Sequence, residues 1–215
     1  MSHPILEIKN LQVEFTSENS STKAVNDICL SVHQGEIVGV VGESGSGKSV
    51  TSLSAMGLIP QPPGKIISGE ILFTKKNGEI VNTVNASSKL MQSIRGNEMS
   101  MIFQEPMTSL NPVFTCGDQV TEALILHKGM TKKQAYHETI KLFRKVELPR
   151  PETIFNQYPH QISGGQKQRV MIAMAICCAP QLLIADEPTT ALDVTIQLQI
   201  LELLKNIQSR LGMSL

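Results

Sequence analysis

Hydrophobic and polar positions change their spacing several times along the chain, and each spacing predicts a structural element. Residues 5–15, "ILEIKNLQVEF", and 26–36, "NDICLSVHQGE", partly alternate between apolar and polar, which predicts antiparallel strands with one wet face. The polar segment between them, "SENSSTKA" at 17–24, is predicted to be a loop. Residues 37–41, "IVGVV", form an unbroken apolar run, which is typical of a strand buried on both faces. A glycine-rich turn follows, and a helix is predicted over about 48–58.

The second half of the chain is dominated by helical spacing. Two helices are predicted within 116–129 and 131–148, with Thr131 as the N-cap of the second. A further helix starts near residue 163 and is stopped by Pro180, and the apolar run at 181–186 is a second buried strand. The last helix ends at Gly212. Buried strands that alternate with helices predict an α/β fold with a mostly parallel sheet, an N-terminal antiparallel β subdomain and an inserted α-helical subdomain.

Composition excludes several functional classes. The 215 residues carry 19 basic and 19 acidic side chains, with 4% aromatics and no Trp, which argues against a nucleic-acid-binding protein. The longest apolar run, ten residues at 170–179, is far shorter than the roughly 20 residues of a membrane-spanning helix. The N-terminus lacks the pattern of a signal peptide. The four cysteines show no C-x-x-C spacing and are expected to be buried, reduced thiols, which suits a cytosolic compartment.

A phosphate-binding loop is predicted where the apolar run at 37–41 meets the first helix. "GESGSGKS" fits G-x-x-x-x-G-K-[ST], in which glycines allow backbone N–H groups to surround a phosphate. Lys48 reaches the β- and γ-phosphates, the Ser49 hydroxyl is a ligand of Mg²⁺, and the helix directs its positive end at the same anion. The residues predicted to bind the nucleotide here are Gly42, Glu43, Ser44, Gly45, Ser46, Gly47, Lys48, Ser49 and Val50.

Two adjacent carboxylates, Asp186 and Glu187, stand at the end of the second buried strand. Ligands of parallel α/β sheets bind at the carboxyl ends of the strands, so both lie at the expected place for a nucleotide site. Asp186 is the candidate that holds Mg²⁺. Because side chains alternate along a strand, Glu187 is expected to point elsewhere and to act as a general base on the attacking water.

The segment "SGGQ" at 163–166 supports two interpretations. Ser163 and Gln166 form a capping box, which would explain the segment as a well-capped helix start. A capping box needs neither Gly164 nor Gly165, however, and glycine in a first turn costs up to about 1 kcal/mol relative to alanine. The glycines therefore suggest a close approach, and the helix start could bind an oxyanion. In a head-to-tail dimer with two-fold symmetry, this second anion site would face the nucleotide of the partner.

Five motifs in order resemble the nucleotide-binding domain of ABC transporters, and the likeness covers nearly the whole chain. "GESGSGKS" looks like Walker A, "IFQEP" like the Q-loop, "ISGGQ" like the signature, "LLIADE" like Walker B with the catalytic glutamate, and "TALD" like the D-loop. Longer stretches such as "LLIADEPTTALDVTIQLQIL" are similar to the ATPase subunits of dipeptide, oligopeptide and nickel importers. The resemblance implies one domain over 1–215, with a RecA-like core of about 1–105 and 160–215 and a helical subdomain of about 106–160.

The resemblance also implies roles for individual residues. Phe15 occupies the A-loop position that stacks on adenine, although an ordinary aromatic residue of the sheet is the alternative. Gln104 contacts Mg²⁺ or the attacking water and communicates with a transmembrane partner, and Asp193 acts across the dimer interface. The catalytic set is then Glu187, Gln104 and Lys48. Ser49, Gln104 and Asp186 are the metal set, and Ser163, Gly164, Gly165 and Gln166 contact the partner's nucleotide.

One expected feature is missing from the sequence. Family members carry a switch histidine some thirty residues after the Walker B aspartate, whereas all five histidines here precede Asp186 and only 29 residues follow it. The closing strand and the C-terminal extension are likewise absent, so the sequence is interpreted as a truncated chain. We therefore expect it to bind Mg·ATP but to hydrolyse ATP poorly.

The resemblance predicts an ATPase subunit that powers import of peptides. It would lie on the cytoplasmic face of the membrane with a second nucleotide-binding subunit, permease subunits and, indirectly, a substrate-binding protein. Import of nickel or another small solute remains an alternative, as does a non-transport ABC ATPase. Only 58 residues separate Gln104 from Ser163, which leaves no room for the long coiled coils of the DNA-maintenance type. A small-molecule kinase would not explain the signature.

Overall fold

The computed structural model describes residues 3–17, 20–104, 109–190 and 192–215, and it confirms the predicted α/β fold class. Its larger sheet is antiparallel, with strand order β2-β1-β3-β4. The strands are β1 (Leu6–Ser17), β2 (Ser20–Val32), β3 (Gly64–Thr74) and β4 (Ile80–Asn82). β1 and β2 pair as far as Ser17 and Ser20, so the predicted loop at 17–24 is wrong. Backbone hydrogen bonds extend the hairpin into this segment, although its side chains are polar on both faces. Glu18 and Asn19 lie outside the described residues.

A smaller sheet has two parallel strands, and the candidate site residues Gln104, Asp186 and Glu187 follow their carboxyl ends. It consists of β5 (Met99–Ile102) and β6 (Leu182–Ala185), in register from Met99–Leu182 to Ile102–Ala185. The apolar run at 181–186 predicts β6, and this prediction is confirmed. Because the strands are parallel, their carboxyl ends lie side by side, and the residues that follow each strand are brought to one edge.

Seven α-helices are described. They are α1 (Lys48–Ala55), α2 (Ser88–Ile94), α3 (Cys116–Lys128), α4 (Lys132–Lys145), α5 (Pro151–Phe155), α6 (Gly164–Ile176) and α7 (Val194–Leu211). Thr131 caps α4 through a complete capping box, and Gly212, at φ 62°, ends α7; both predictions are confirmed. α1 ends at Ala55, three residues before the predicted end at 58.

Buried apolar side chains form two clusters. The first lies under the antiparallel sheet and includes Ile8, Leu11, Ile71 and Phe73, which are essentially inaccessible to solvent. In a regular strand, residues two apart point to the same face. Ile8 and Leu11 are three positions apart, and both are buried because the register of β1 shifts between them. The second cluster joins α3–α7 to the parallel sheet and is centred on residues such as Phe143 and Ile172. The helix that follows the signature segment and the two parallel strands therefore pack into the same hydrophobic cluster.

The predicted strand at 37–41 is wrong. The Val38 amide donates to the Leu215 carbonyl at 2.8 Å, but 39–41 make no backbone hydrogen bond among the described residues. Val40 is 58% exposed and Val41 97%. An apolar run indicates that a segment favours burial, but a strand also needs a neighbour to pair with. Among the described residues, the backbone bonds to this segment are those that Leu215 makes with Glu36 and Val38.

Two further expectations concern the surface. Within the described part of the chain, no helix is both long enough and apolar enough to cross a bilayer.

All four cysteines are free thiols, as predicted, and Cys116 and Cys178 are buried. Cys177 is partly buried and Cys29 is exposed, so the expectation of buried thiols is wrong for Cys29. The Cys29 thiol lies on an outward-facing position of β2, where it accepts a hydrogen bond from the Asn10 amide.

Candidate functional site

The glycine-rich segment forms an exposed loop that leads directly into α1. Gly45 and Gly47 have φ values of 81° and 95°, a region that favours glycine. A Cβ on Gly47 would lie 2.5 Å from the Ala24 carbonyl oxygen, so no larger residue fits there without a shift. No side chain caps the start of α1. Its first amides are therefore available to an anion, as the sequence predicted for this loop.

Lys48 is folded back over the loop. Its Nζ donates to the carbonyl oxygens of Gly42 at 2.8 Å and Glu43 at 2.9 Å. The same ammonium lies 3.6 Å from Glu187 Oε1. The Lys48 ammonium is thus held between two loop carbonyls and the Glu187 carboxylate.

Ser49 and Asp186 meet although 137 positions separate them. The Ser49 hydroxyl donates to Asp186 Oδ1 at 3.0 Å, and Asp186 is only 7% exposed. Hydroxyl and carboxylate oxygens are the ligands that Mg²⁺ prefers, so the pair fits this ion. Among the described residues, no group of three or more His, Cys, Asp or Glu side chains could hold a metal alone. Mg²⁺ at this pair would need further oxygens from a phosphate or water, which is its usual mode of binding.

Glu187 lies beyond the end of β6, in a left-handed turn with φ 45°. The prediction that strand alternation turns its side chain away from Asp186 is therefore wrong, because the strand ends at Ala185. The turn separates the two carboxylates instead. Gln104, after the neighbouring strand β5, donates from Nε2 to Glu187 Oε2 at 2.8 Å.

Thr190 was missed by the sequence analysis. Its hydroxyl donates to Glu187 Oε2 at 3.0 Å, and its amide donates to the Glu187 carbonyl at 3.1 Å. The sequence did contain an indication of this contact, because a hydroxyl residue three positions after a carboxylate in a turn can donate back to that carboxylate.

The segment at 163–166 shows the predicted capping box. Ser163 Oγ accepts from the Gln166 amide at 3.3 Å, and Gln166 Oε1 accepts from the Ser163 amide at 2.9 Å. A Cβ on Gly165 would lie 3.2 Å from Ile196 Cγ2. The close approach inferred from the glycines is therefore made at least in part by this chain itself, at the start of α7.

The phosphate loop and the signature segment stay apart within one chain. No hydrogen bond or ion pair joins 163–166 to 42–50 among the described residues. The geometry brings together Lys48, Ser49, Gln104, Asp186 and Glu187, and it leaves the signature residues outside this group. A role for 163–166 at the partner's nucleotide stays a prediction.

Three other predicted residues have identifiable surroundings. Asp193 is exposed and caps α7, accepting from the Ile196 amide at 3.0 Å. Val50 is half-buried against the cluster under the antiparallel sheet. Phe15 packs on β3, where a Cβ on Gly64 would lie 2.9 Å from the ring. The packing of Phe15 fits the ordinary role of a sheet aromatic, and stacking on adenine stays a prediction.

A cavity of about 580 Å³ adjoins the phosphate loop. Gly42, Lys48, Asp186 and Glu187 line its polar side, and apolar side chains of β1 and β2 line the other. These four predicted site residues therefore lie at the wall of an open space.

Comparison with known proteins identifies relatives of the chain. Residues 25–190 match the family model described as "ABC transporter". The chain is 50% identical over 210 residues to the dipeptide transport ATP-binding protein DppD of Bacillus subtilis, with 98% of this chain and 61% of that protein aligned. It is 48% identical over 210 residues to the glutathione import ATP-binding protein GsiA of Pectobacterium atrosepticum, with 98% and 34% aligned. The chain thus spans between a third and two thirds of these relatives.

A solved structure with the same architecture is a dimeric ATP-binding cassette in a post-hydrolysis state, bound to ADP and Pi. It superposes with a TM-score of 0.82 at 28% identity and covers 97% of this chain and 85% of the cassette.

Proposed function

Because this chain belongs to the ABC transporter family, we propose that it is the ATP-binding and ATP-hydrolysing part of an importer. One observation carries the proposal. Three segments that are distant in sequence converge, so that Lys48 contacts Glu187, Ser49 contacts Asp186, and Gln104 contacts Glu187. A cation, a hydroxyl–carboxylate pair and a carboxylate with an amide donor are the groups that phosphate-ester hydrolysis needs.

Phosphate binding would start at the loop. The uncapped amides of α1 and the Lys48 ammonium would contact the β- and γ-phosphates, and Lys48 would leave its carbonyl partners and Glu187 to do so. Ser49 and Asp186 would hold Mg²⁺, which neutralises charge on the phosphate oxygens when bound.

Glu187 would accept a proton from the attacking water. Its carboxylate is oriented by Gln104 and Thr190, which both donate to Oε2. Oε1 is thereby left for Lys48 before the nucleotide binds and for the water afterwards. Gln104 would share this water through its amide group, which fits the role that the sequence assigned to it. Slow hydrolysis by this chain alone stays a prediction.

The second half of the proposal concerns assembly. Ser163, Gly164, Gly165 and Gln166 would complete the nucleotide site of a second subunit, and Asp193 would lie at the interface. The dimeric cassette of the same architecture supports this arrangement. Permease subunits would be the membrane partners, and the chain would then be peripheral to the cytoplasmic face.

Peptides are the proposed cargo because the two relatives are named for a dipeptide and for glutathione, which is itself a tripeptide. The proposal is tested by ATP-dependent uptake of labelled di- and tripeptides into vesicles that contain the complete transporter. Uptake with the unaltered protein and none with Glu187→Gln is expected. Uptake of nickel without peptide uptake would contradict the peptide assignment but not the ATPase.

A further inference from the structure

Two glutamine side chains hold the loop that carries Glu187. Gln168, on α6, donates from Nε2 to the Pro188 carbonyl at 2.6 Å. Gln197, on α7, donates from Nε2 to the Leu192 carbonyl at 3.0 Å. The first bond is made next to the carboxylate residue, and the second is made near the opposite end of the loop. Both carbonyl groups can only accept, so each amide must present its NH₂ group to the loop.

Gln168 is costly to bury in this position. It is 1% exposed, and its Oε1 accepts no hydrogen bond within the described part of the chain. A buried amide with an unpaired acceptor lowers stability, whereas methionine has a similar length and would carry no unpaired oxygen. Packing and stability alone would therefore favour an apolar residue at this position. The retained donor suggests a role that depends on the bond to Pro188.

The bond acts on a strained part of the backbone. Glu187 has φ 45°, a conformation that non-glycine residues keep only when their surroundings fix it. The Pro188 carbonyl belongs to the peptide between Pro188 and Thr189. Because the proline ring fixes φ of Pro188, holding this carbonyl limits movement of the backbone directly after Glu187. The conformation of Glu187 in turn determines whether its carboxylate faces Gln104 and Lys48.

Gln168 also connects two functional segments. It lies on α6, the helix that starts at the signature segment with Ser163 as its N-cap. A displacement of α6 would move the Gln168 amide and hence the Pro188 carbonyl that it holds, one residue after Glu187. Gln197 makes a local bond to Leu192, just before its own helix, and within the described part of the chain its side chain forms no hydrogen bond to α6.

We infer that Gln168 is a positioning residue, which holds Glu187 in its reactive orientation and couples this orientation to the position of the signature helix. The inference rests on the proposed ATPase function of the site. Gln168 touches neither nucleotide nor water in this scheme, and it acts only through Pro188. It should therefore affect the hydrolytic step without affecting ATP binding.

Steady-state ATP hydrolysis by Gln168→Met provides the test. We expect kcat to fall about tenfold while KM for ATP changes less than about twofold. Gln197→Met is the matched control, because it removes an amide–carbonyl bond of the same kind from the same loop. We expect its kcat to stay within about twofold of the unaltered protein. Equal losses in both variants would indicate general ordering of the loop and would overturn the inference, as would an unchanged kcat in Gln168→Met.

A second measurement does not depend on hydrolysis. Amide hydrogen exchange at 186–190 without nucleotide should be at least about threefold faster in Gln168→Met than in the unaltered protein. If the unaltered protein fails to hydrolyse ATP, the proposed function fails, yet the exchange rates still decide whether Gln168 holds the loop. Gln168→Leu also removes the donor and introduces no charge, and it replaces Gln168→Met if the latter does not fold.

Discussion

Lys48 Nζ lies 3.6 Å from Glu187 Oε1, so the cation of the phosphate loop and the candidate base form an ion pair before any nucleotide binds. Both groups retain some solvent exposure, and the pair is therefore easily separated. A γ-phosphate entering this space would take over the ammonium and release the carboxylate. The candidate base would then lose its ionic partner at the moment when the phosphate binds.

Glu187→Gln should bind ATP at least as tightly as the unaltered protein and hydrolyse it about 10²-fold or more slowly. The amide leaves Lys48 without a competing carboxylate, but it cannot accept the proton of water. Fluorescent-nucleotide titration and phosphate release measure the two effects. Glu138→Gln, which removes an exposed carboxylate paired with Lys141 on α4, is the control and should change neither. Hydrolysis retained by Glu187→Gln would remove Glu187 from its role.

Ser49→Ala should reduce the dependence of ATP binding on Mg²⁺. The hydroxyl is one of two protein groups at the candidate ion position, and Asp186 alone would hold the ion less well. We expect EDTA to weaken ATP binding by the unaltered protein at least about tenfold and binding by Ser49→Ala less than about threefold. Ser93→Ala, on α2, should behave like the unaltered protein. An equal EDTA effect in both serine variants would contradict the metal assignment.

Gly165→Asp should abolish ATP-driven dimerisation and leave ATP binding by the monomer unchanged. The carboxylate would repel the partner's phosphate, but it lies away from the phosphate loop of its own chain. Size-exclusion chromatography with light scattering measures dimerisation. Gly165→Ala separates charge from size, because its Cβ would meet Ile196 at 3.2 Å, and it should still dimerise. Weaker ATP binding by the monomeric Gly165→Asp protein would mean that this segment contacts its own nucleotide.

Thr190→Val should lower kcat about three- to tenfold at unchanged KM for ATP, because one of the two donors to Glu187 Oε2 is lost. Thr190→Ser keeps the hydroxyl and should restore kcat to within about twofold of the original value. The neighbouring Thr189→Val is the matched control. Equal rates for the Val and Ser variants at 190 would show that the hydroxyl does not orient the carboxylate.

Native alkylation should distinguish Cys29 from Cys116. Burial raises the pKa of the Cys116 thiol to about 11, so the thiol stays protonated and unreactive at pH 8. Cys29 is exposed and should react with iodoacetamide at least about 100-fold faster. Peptide mass spectrometry measures both rates, and denaturation should abolish the difference. Modification of native Cys116 at the rate of Cys29 would contradict its burial.

The elements that the sequence predicted well are those whose signals are local. Thr131 and Gly212 mark helix ends through interactions within a few residues, and the alternation in β1 follows from strand geometry. The phosphate loop belongs to the same group, since Gly45 and Gly47 have the positive φ values that their residue type allows.

The predictions that were wrong or missing concern features whose structure depends on residues distant in sequence. Whether 37–41 becomes a strand depends on pairing with the segment at 214–215, which no spacing rule contains. The separation of Asp186 from Glu187 follows from a left-handed turn at a non-glycine residue, which propensity disfavours. The contacts of Thr190 and Gln168 depend in the same way on where β6 ends and on how α6 packs.

The contact between Gly165 and Ile196 has a consequence for variation among related sequences. The space at 165 is limited by a branched side chain of the same subunit, so the residues tolerated at these two positions depend on each other. A residue at 196 without the Cγ2 methyl group, such as alanine, would make room for alanine at 165. Substitutions at the two positions should therefore occur together rather than independently, and a glycine at 165 in a given relative need not report on a bound phosphate.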